Sequence, residues 1–250
     1  MSKRHDAIGI KQTIRYEWME KTSNMLLAGM DRNSIQQELT NYLMYHKGDG
    51  SENQRSKNTC KFAVSNLMNI WFSPDSELID FKDSAIIILS KNPSKALAIY
   101  WSLISAAYPF WFNVALQTGR LLNLQEQVTS YQIITRLKEQ YGDRETVSRY
   151  TRYVIRSLVS WGVLNDYGCK GCYKKSTQLH ISDKSTSILL VEAMLHAIPE
   201  GKESLKVLVN SPALFPFHLP PITSNYFEEQ NRFNVINYGI DCGLLELKMK

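Results

Sequence analysis

Apolar residues recur along most of this chain with the three-to-four-residue period of helices that bury one face. Residues 14–28 carry Tyr16, Trp18, Met19, Met25, Leu26 and Leu27 on that pattern, and Gly29 stops it. Asp31-Arg-Asn-Ser34 offers cap residues to a second helix whose Ile35, Leu39 and Leu43 share one face, with Met44 beside them. Residues 46–57 are polar, contain Gly48-Asp-Gly50, and read as a flexible loop. Residues 58–72 return to helix through Phe62, Val64, Leu67, Ile70 and Trp71. Ser73-Pro74 supplies an N-cap and first-turn proline for a helix over 75–90, and Asn92-Pro93-Ser94 repeats that punctuation before 95–107. The spacing predicts a compact helical bundle up to about residue 122.

The middle of the chain changes rhythm. Thr129 caps a predicted helix over 130–139 with Ile133, Ile134 and Leu137 inward, and Gly142 closes it. A longer helix is expected over 144–161, stopped by Gly162. Residues 163–182 hold short apolar runs around Gly168 and Gly171, with Leu179 and Ile181 alternating, which is the pattern of a two-stranded hairpin. Helix returns over 184–198. The four prolines and two phenylalanines (Phe215, Phe217) of 211–223 predict an extended arm. That arm either docks on another subunit or lies over the chain's own core, and the second is the simpler expectation. Alternation around Phe233 and Val235 suggests β-structure near the end.

The stretch 96–119 has no charged residue. Its length would permit a membrane span. Ser102, Ser105, Pro109, Asn113 and Gln117 argue instead for a buried helix pair broken near Tyr108-Pro109. The first residues lack the apolar core of a secretory signal. With four cysteines in 250 residues, too few for a disulfide framework, this points to a cytoplasmic protein with reduced thiols. The 44% apolar and 21% charged composition, with only 12 glycines and 8 prolines, excludes collagen-like and wholly disordered chains.

Charge changes the picture. Of 29 basic and 24 acidic residues, 10 basic and 5 acidic lie within 120–175, so the net +5 belongs to that segment and the remainder is neutral. A localised excess marks a surface for a polyanion. At ~100° per residue, Arg149, Arg152 and Arg156 fall within one narrow stripe of the 144–161 helix, while Val147, Val154, Leu158 and Trp161 cluster opposite. Ser148 and Thr151 flank the row as expected phosphate contacts. Lys170, Lys174 and Lys175, with Tyr173 between them, fall on the hairpin. Helix, tight turn, arginine-lined helix and basic hairpin follow the order of a winged helix-turn-helix that binds duplex DNA. The competing interpretation is a solvated helix face, with Glu145 pairing Arg149 at i, i+4, and a wing used for protein contact.

Other chemistries are poorly represented. Cys169-Lys-Gly-Cys172 has the spacing of half a zinc site, and His180 follows eight positions later, but Cys60, Cys242 and His196 are remote. Two exposed thiols in a turn are the expectation, with no bound metal. Pro74-Asp75 and Asp80-Phe-Lys82 share residue types with metal-dependent nucleases, yet Leu78, Phe81 and Ala85 follow a helical period. There is no P-loop, dinucleotide fingerprint, His-Glu-x-x-His or Gly-x-Ser-x-Gly motif. No catalytic residue and no cofactor is expected.

Met25-Leu-Leu-Ala-Gly29 followed by a short helix, Arg144-Glu-Thr-Val-Ser-Arg149, and Ser160-Trp-Gly-Val-Leu164 with its basic hairpin resemble the BrxA-type components of bacterial BREX phage-defence systems. The resemblance spans about residues 14–198 and leaves the tail from Ser211 without a counterpart. It implies a helical protein with winged-helix elements that binds double-stranded DNA without catalysis, among other defence-system proteins. The expected fold is mainly α. It has an N-terminal helical domain (1–125), a winged helix-turn-helix with a short β-hairpin wing (126–182), and a C-terminal helix, Pro-rich arm and short β segment (183–250). Its expected DNA contacts are Arg144, Ser148, Arg149, Thr151, Arg152, Arg156, Lys170, Tyr173, Lys174 and Lys175. Oligomeric state is open, a homo-oligomer included.

Overall fold

A computed structural model describes residues 4–46, 56–72, 75–237 and 243–248. The loop expected over 46–57 and the Ser73-Pro74 cap fall largely outside the described residues.

The chain is mainly helical. α1 (Tyr16–Leu27) and α2 (Arg32–Tyr45) form the first pair, and the Asp31 side chain accepts from the Asn33 and Ser34 amides at the start of α2. α3 (Lys57–Phe72) and α4 (Ile79–Lys91) follow, the latter after a short 3-10 turn (Ser76–Leu78). α5 (Ala96–Ala107) and α6 (Pro109–Leu122) divide the uncharged stretch where proline takes the first helical position. Every residue of α5 from Ala98 onward is buried, so an uncharged run here means burial from all sides. Among the described residues no helix is long and apolar enough to cross a membrane.

β1 (Gln127–Thr129), α7 (Ser130–Tyr141), α8 (Glu145–Ser160), β2 (Leu164–Asp166) and β3 (Cys172–Lys175) come next. β3 is the middle strand of an antiparallel sheet, order β1-β3-β2. β4 (Leu179–His180) leads to α9 (Lys184–Ala197), which is buried from Thr186 to its end and packs along α5. The tail holds β5 (Lys202–Ser204), α10 (Leu205–Val209), β6 (Phe217–His218), α11 (Asn225–Glu228), β7 (Phe233–Asn237) and β8 (Gly243–Leu247). β5, β8 and β7 make a second antiparallel sheet, which includes the β-structure expected near the end.

Two expectations about the hairpin need correction. Leu179 and Ile181 do not extend the hairpin. β4 instead pairs in parallel with β6 of the arm, with Leu179 N–H donating to Pro216 O at 2.8 Å and Ile181 N–H to His218 O at 3.0 Å. Alternation identifies a strand but not its partner. Cys169 and Cys172 are not separate thiols either. They are joined as a disulfide across the hairpin tip, whose tight turn holds their Cα atoms 5.6 Å apart.

The arm is only partly extended. A 3-10 turn (Pro212–Leu214) lays its backbone on α6, and Phe215 and Phe217 are buried against Trp101. Gly119 permits this contact: a Cβ there would sit 1.9 Å from the Pro212 carbonyl oxygen.

One hydrophobic core includes side chains from α1 through β8. Two buried titratable side chains, Glu192 and His196, sit in its wall. Glu192 of α9 is met by Arg232, with Nε 2.7 Å from Oε1 and Nη2 donating to Oε2 at 2.8 Å. One turn on, the His196 carbonyl receives Arg4 at 3.2 Å and the His5 ring at 3.1 Å, and Arg4 also pairs with Asp75 and Glu77. Burial pushes the Glu192 carboxyl up to about 7, because the partly hydrated Arg232 does not offset the loss of water. Burial, helped by Arg4 and Arg232, pushes His196 down to about 3.

Gly119→Ala is expected to cost about 1–3 kcal/mol by forcing the arm off α6, visible as a lower thermal midpoint. The buried pair makes a separate pH prediction. As pH rises from 4.5 through about 7, folded Glu192 keeps a proton that the unfolded chain loses, which lowers stability. As pH falls from 6.5 towards 3, the unfolded chain gains a proton at His196 that the folded protein refuses, which also lowers stability. The two oppose each other between 4.5 and 6.5. Urea unfolding of Glu192→Gln should therefore lose stability steadily across that window on acidification, where the wild type loses less.

Candidate functional site

The basic segment is built outward from a local scaffold. α6 hands the chain to β1, whose Val128 is fully buried. Thr129 then caps α7 through a reciprocal pair, its hydroxyl accepting from the Gln132 amide while Gln132 Oε1 accepts from Thr129 N–H. Gly142, at φ 84°, takes the left-handed conformation that the tight turn needs. Arg144 stands at the N-cap of α8, exposed, and donates to the Tyr141 carbonyl at 2.7 Å.

α8 buries Val147, Val154, Ile155 and Leu158 against the core, with Trp161 at its end. Arg149, Arg152 and Arg156 are exposed on the opposite side, as the helical period requires. Their partners differ from the expected Glu145–Arg149 pair. Glu145 instead lies 3.8 Å from Arg152, Arg156 Nη1 donates to both Asp166 oxygens at 3.2 and 3.3 Å, and Arg149 rests over the Tyr150 ring at 5.5 Å. All these ion pairs are solvent-exposed and hold each other only weakly, so a stronger polyanion can displace them. Asp166 belongs to β2, so the Arg156 contact ties the helix to the hairpin.

On the hairpin, Lys170 sits between the bridged cysteines, exposed, and Lys175 is exposed at the end of β3. Lys174 lies 3.8 Å from the Tyr167 ring centre and 3.5 Å from Glu126. The Tyr167 hydroxyl first, then Glu126, holds its ammonium above the ordinary lysine value.

Three expected contact residues are not on the surface. Thr151 and Tyr173 are buried, and Ser148 forms part of the floor of a groove between α7 and α8. On the helical wheel that aligns the arginines at 0°, Thr151 falls at about 200°, beside the core stripe, so its burial was readable from the same geometry. Tyr173 is covered because its side chain belongs to the common hydrophobic core, on the face of β3 that packs against it. Burial also pushes its phenol up.

The groove, about 650 Å³, brings in residues that sequence patterning passed over. Tyr131, 77% exposed at the start of α7, and Lys138 form one bank and Arg152 the other. An exposed aromatic at a helix start was the available signal. Among the described residues, no three or more His, Cys, Asp or Glu side chains gather as metal ligands. Asp80 and Lys82 flank the buried Phe81 on α4, remote in sequence from the arginine row.

No family model matches the chain, and no curated protein or solved structure is significantly similar to it.

The Thr151 hydroxyl is buried and, among the described residues, has no hydrogen-bond partner. Thr151→Val, which keeps the shape and removes that group, is expected to stabilise by about 1 kcal/mol, raising the thermal midpoint while leaving the arginine face unchanged.

Proposed function

We propose that this chain is a non-catalytic, duplex DNA-binding protein whose residues 109–175 act as a winged helix-turn-helix. One observation carries the reading: helix, strand, helix, tight turn, helix and hairpin occur in the order and strand pairing such a unit needs, with the exposed arginine row on its second turn-linked helix. In this reading α8 enters the major groove. Arg149, Arg152 and Arg156 meet phosphates or base edges, Arg144 meets the backbone at the helix start, and Lys170, Lys174 and Lys175 touch the flanking strand. The resemblance of residues 14–198 to BrxA-type proteins supports a place among bacterial phage-defence components, alongside other proteins of that system.

A second reading, in which the same face docks a protein in a larger assembly, draws on Arg152 and Arg156 already being matched to Glu145 and Asp166. The two readings differ in salt dependence. Neutralising about four to six phosphates gives a slope of log K against log salt near −4 to −5, whereas a protein-docking face gives little or no DNA binding. Electrophoretic shifts over a salt series, with wild type and Arg149→Ala/Arg152→Ala/Arg156→Ala, test this. The folded triple variant is expected to bind weakly with a slope shallower by about three. Unchanged binding by that variant would sink the assignment.

A further inference from the structure

The five histidines are scattered in sequence, but the fold treats two of them differently from the rest. His46 stacks on Tyr42 and bonds its carbonyl at 2.9 Å, His5 bonds the His196 carbonyl, and His196 is buried beside Glu192. His180 and His218 are exposed, and among the described residues neither ring has a hydrogen-bond partner. They face each other across the parallel β4–β6 pair in direct register, with ring centres 4.9 Å apart and planes 42° apart.

That separation has a chemical meaning. An imidazole nitrogen binds zinc-like ions at about 2.0–2.1 Å, which puts the ring centre roughly 3.2 Å from the metal. Two such rings subtending ~90° to ~110° at one ion have centres roughly 4.5 to 5.2 Å apart. The observed distance falls inside that window. Backbone hydrogen bonds from both sides hold the strands, so the pair is positioned before any ion arrives.

We propose that His180 and His218 form the protein half of a site for a divalent transition-metal ion of the copper, nickel and zinc group, which staples the 211–223 arm to the strand behind the hairpin. Two neutral imidazoles suit these ions and offer little to magnesium or calcium, which prefer oxygen. Water fills the remaining positions. Copper(II) binds tightest of the three, following the general order for nitrogen ligands. The ion bridges two segments 38 positions apart that separate on unfolding, so it stabilises the folded chain. At ten times its dissociation constant it raises the thermal midpoint by roughly 3 to 6 °C. This inference does not depend on DNA binding.

The test titrates the metal-free full chain with copper(II), following the thermal midpoint and the electron paramagnetic resonance spectrum. It is run in the native chain with its Cys169–Cys172 disulfide and in a Cys169→Ser/Cys172→Ser background, which removes any copper held by thiols released on reduction. One equivalent bound with hyperfine structure from two nitrogens is expected, together with the rise in midpoint. His180→Gln and His218→Gln should each abolish both signals, while His46→Gln leaves them intact. Both substituted side chains are exposed, and circular dichroism of the metal-free variants verifies that they fold as the wild type does. Copper binding that survives either substitution, or an absence of stoichiometric binding, overturns the proposal.

Discussion

Three tryptophans from three different helical regions meet at one point, and the arrangement of the remainder follows from that meeting. Trp101 of α5, Trp111 of α6 and Trp161 at the end of α8 lie 5.1 to 6.4 Å apart, centre to centre. Phe215 and Phe217 of the arm press edge-on against Trp101, and Tyr16 of α1 meets Trp161. Such tilted contacts each add about 0.5–1.5 kcal/mol beyond the area they bury. The larger effect is geometric. The basic helix ends inside the common core, so its arginine face is held rigidly relative to the bundle instead of being carried on a linker.

The charges divide according to solvent. Glu192 is buried and is met by the partly hydrated Arg232 from the edge of the core, so removing Arg232 would strand the carboxyl group, and the pair ties the start of β7 to α9. The arginine row, the hairpin lysines and their carboxylate partners remain in water, where pairs form and exchange at little cost. A net charge of +5 is small, but its surplus lies almost wholly on that exchangeable surface.

The helices were legible because their signals are local. Pro109 broke the uncharged stretch where α5 gives way to α6, Thr129 capped α7, and the alignment of Arg149, Arg152 and Arg156 gave the exposed side of α8. β1 was missed because Gln127-Val128-Thr129 is too short to show a period, although it pairs with β3 and completes its sheet. The β4–β6 pairing joins residues far apart in sequence, and no property of Leu179 announces Pro216 as its partner. The tail's β5 and α10 were likewise invisible, since each depends on β8 for its place. The exposure of Arg149, Arg152 and Arg156 was legible from the helical period, whereas Ser148 and Thr151, next to them in sequence, turn inward because adjacent helical positions point about 100° apart.

The hydrogen bonds at the tryptophan cluster also bear on how the chain is made. The Ile14 amide donates to Ser157 and the Ile14 carbonyl accepts from Trp161, partners 143 and 147 positions further along. A ribosome adding about 5–20 residues per second needs roughly 7–30 s to produce that stretch. Until then the apolar Ile10 and Ile14, fully buried in the finished protein, have no groove to enter. The segment around Ile14 is thus synthesised well before it can lock, and its docking records that α8 has already been completed and seated.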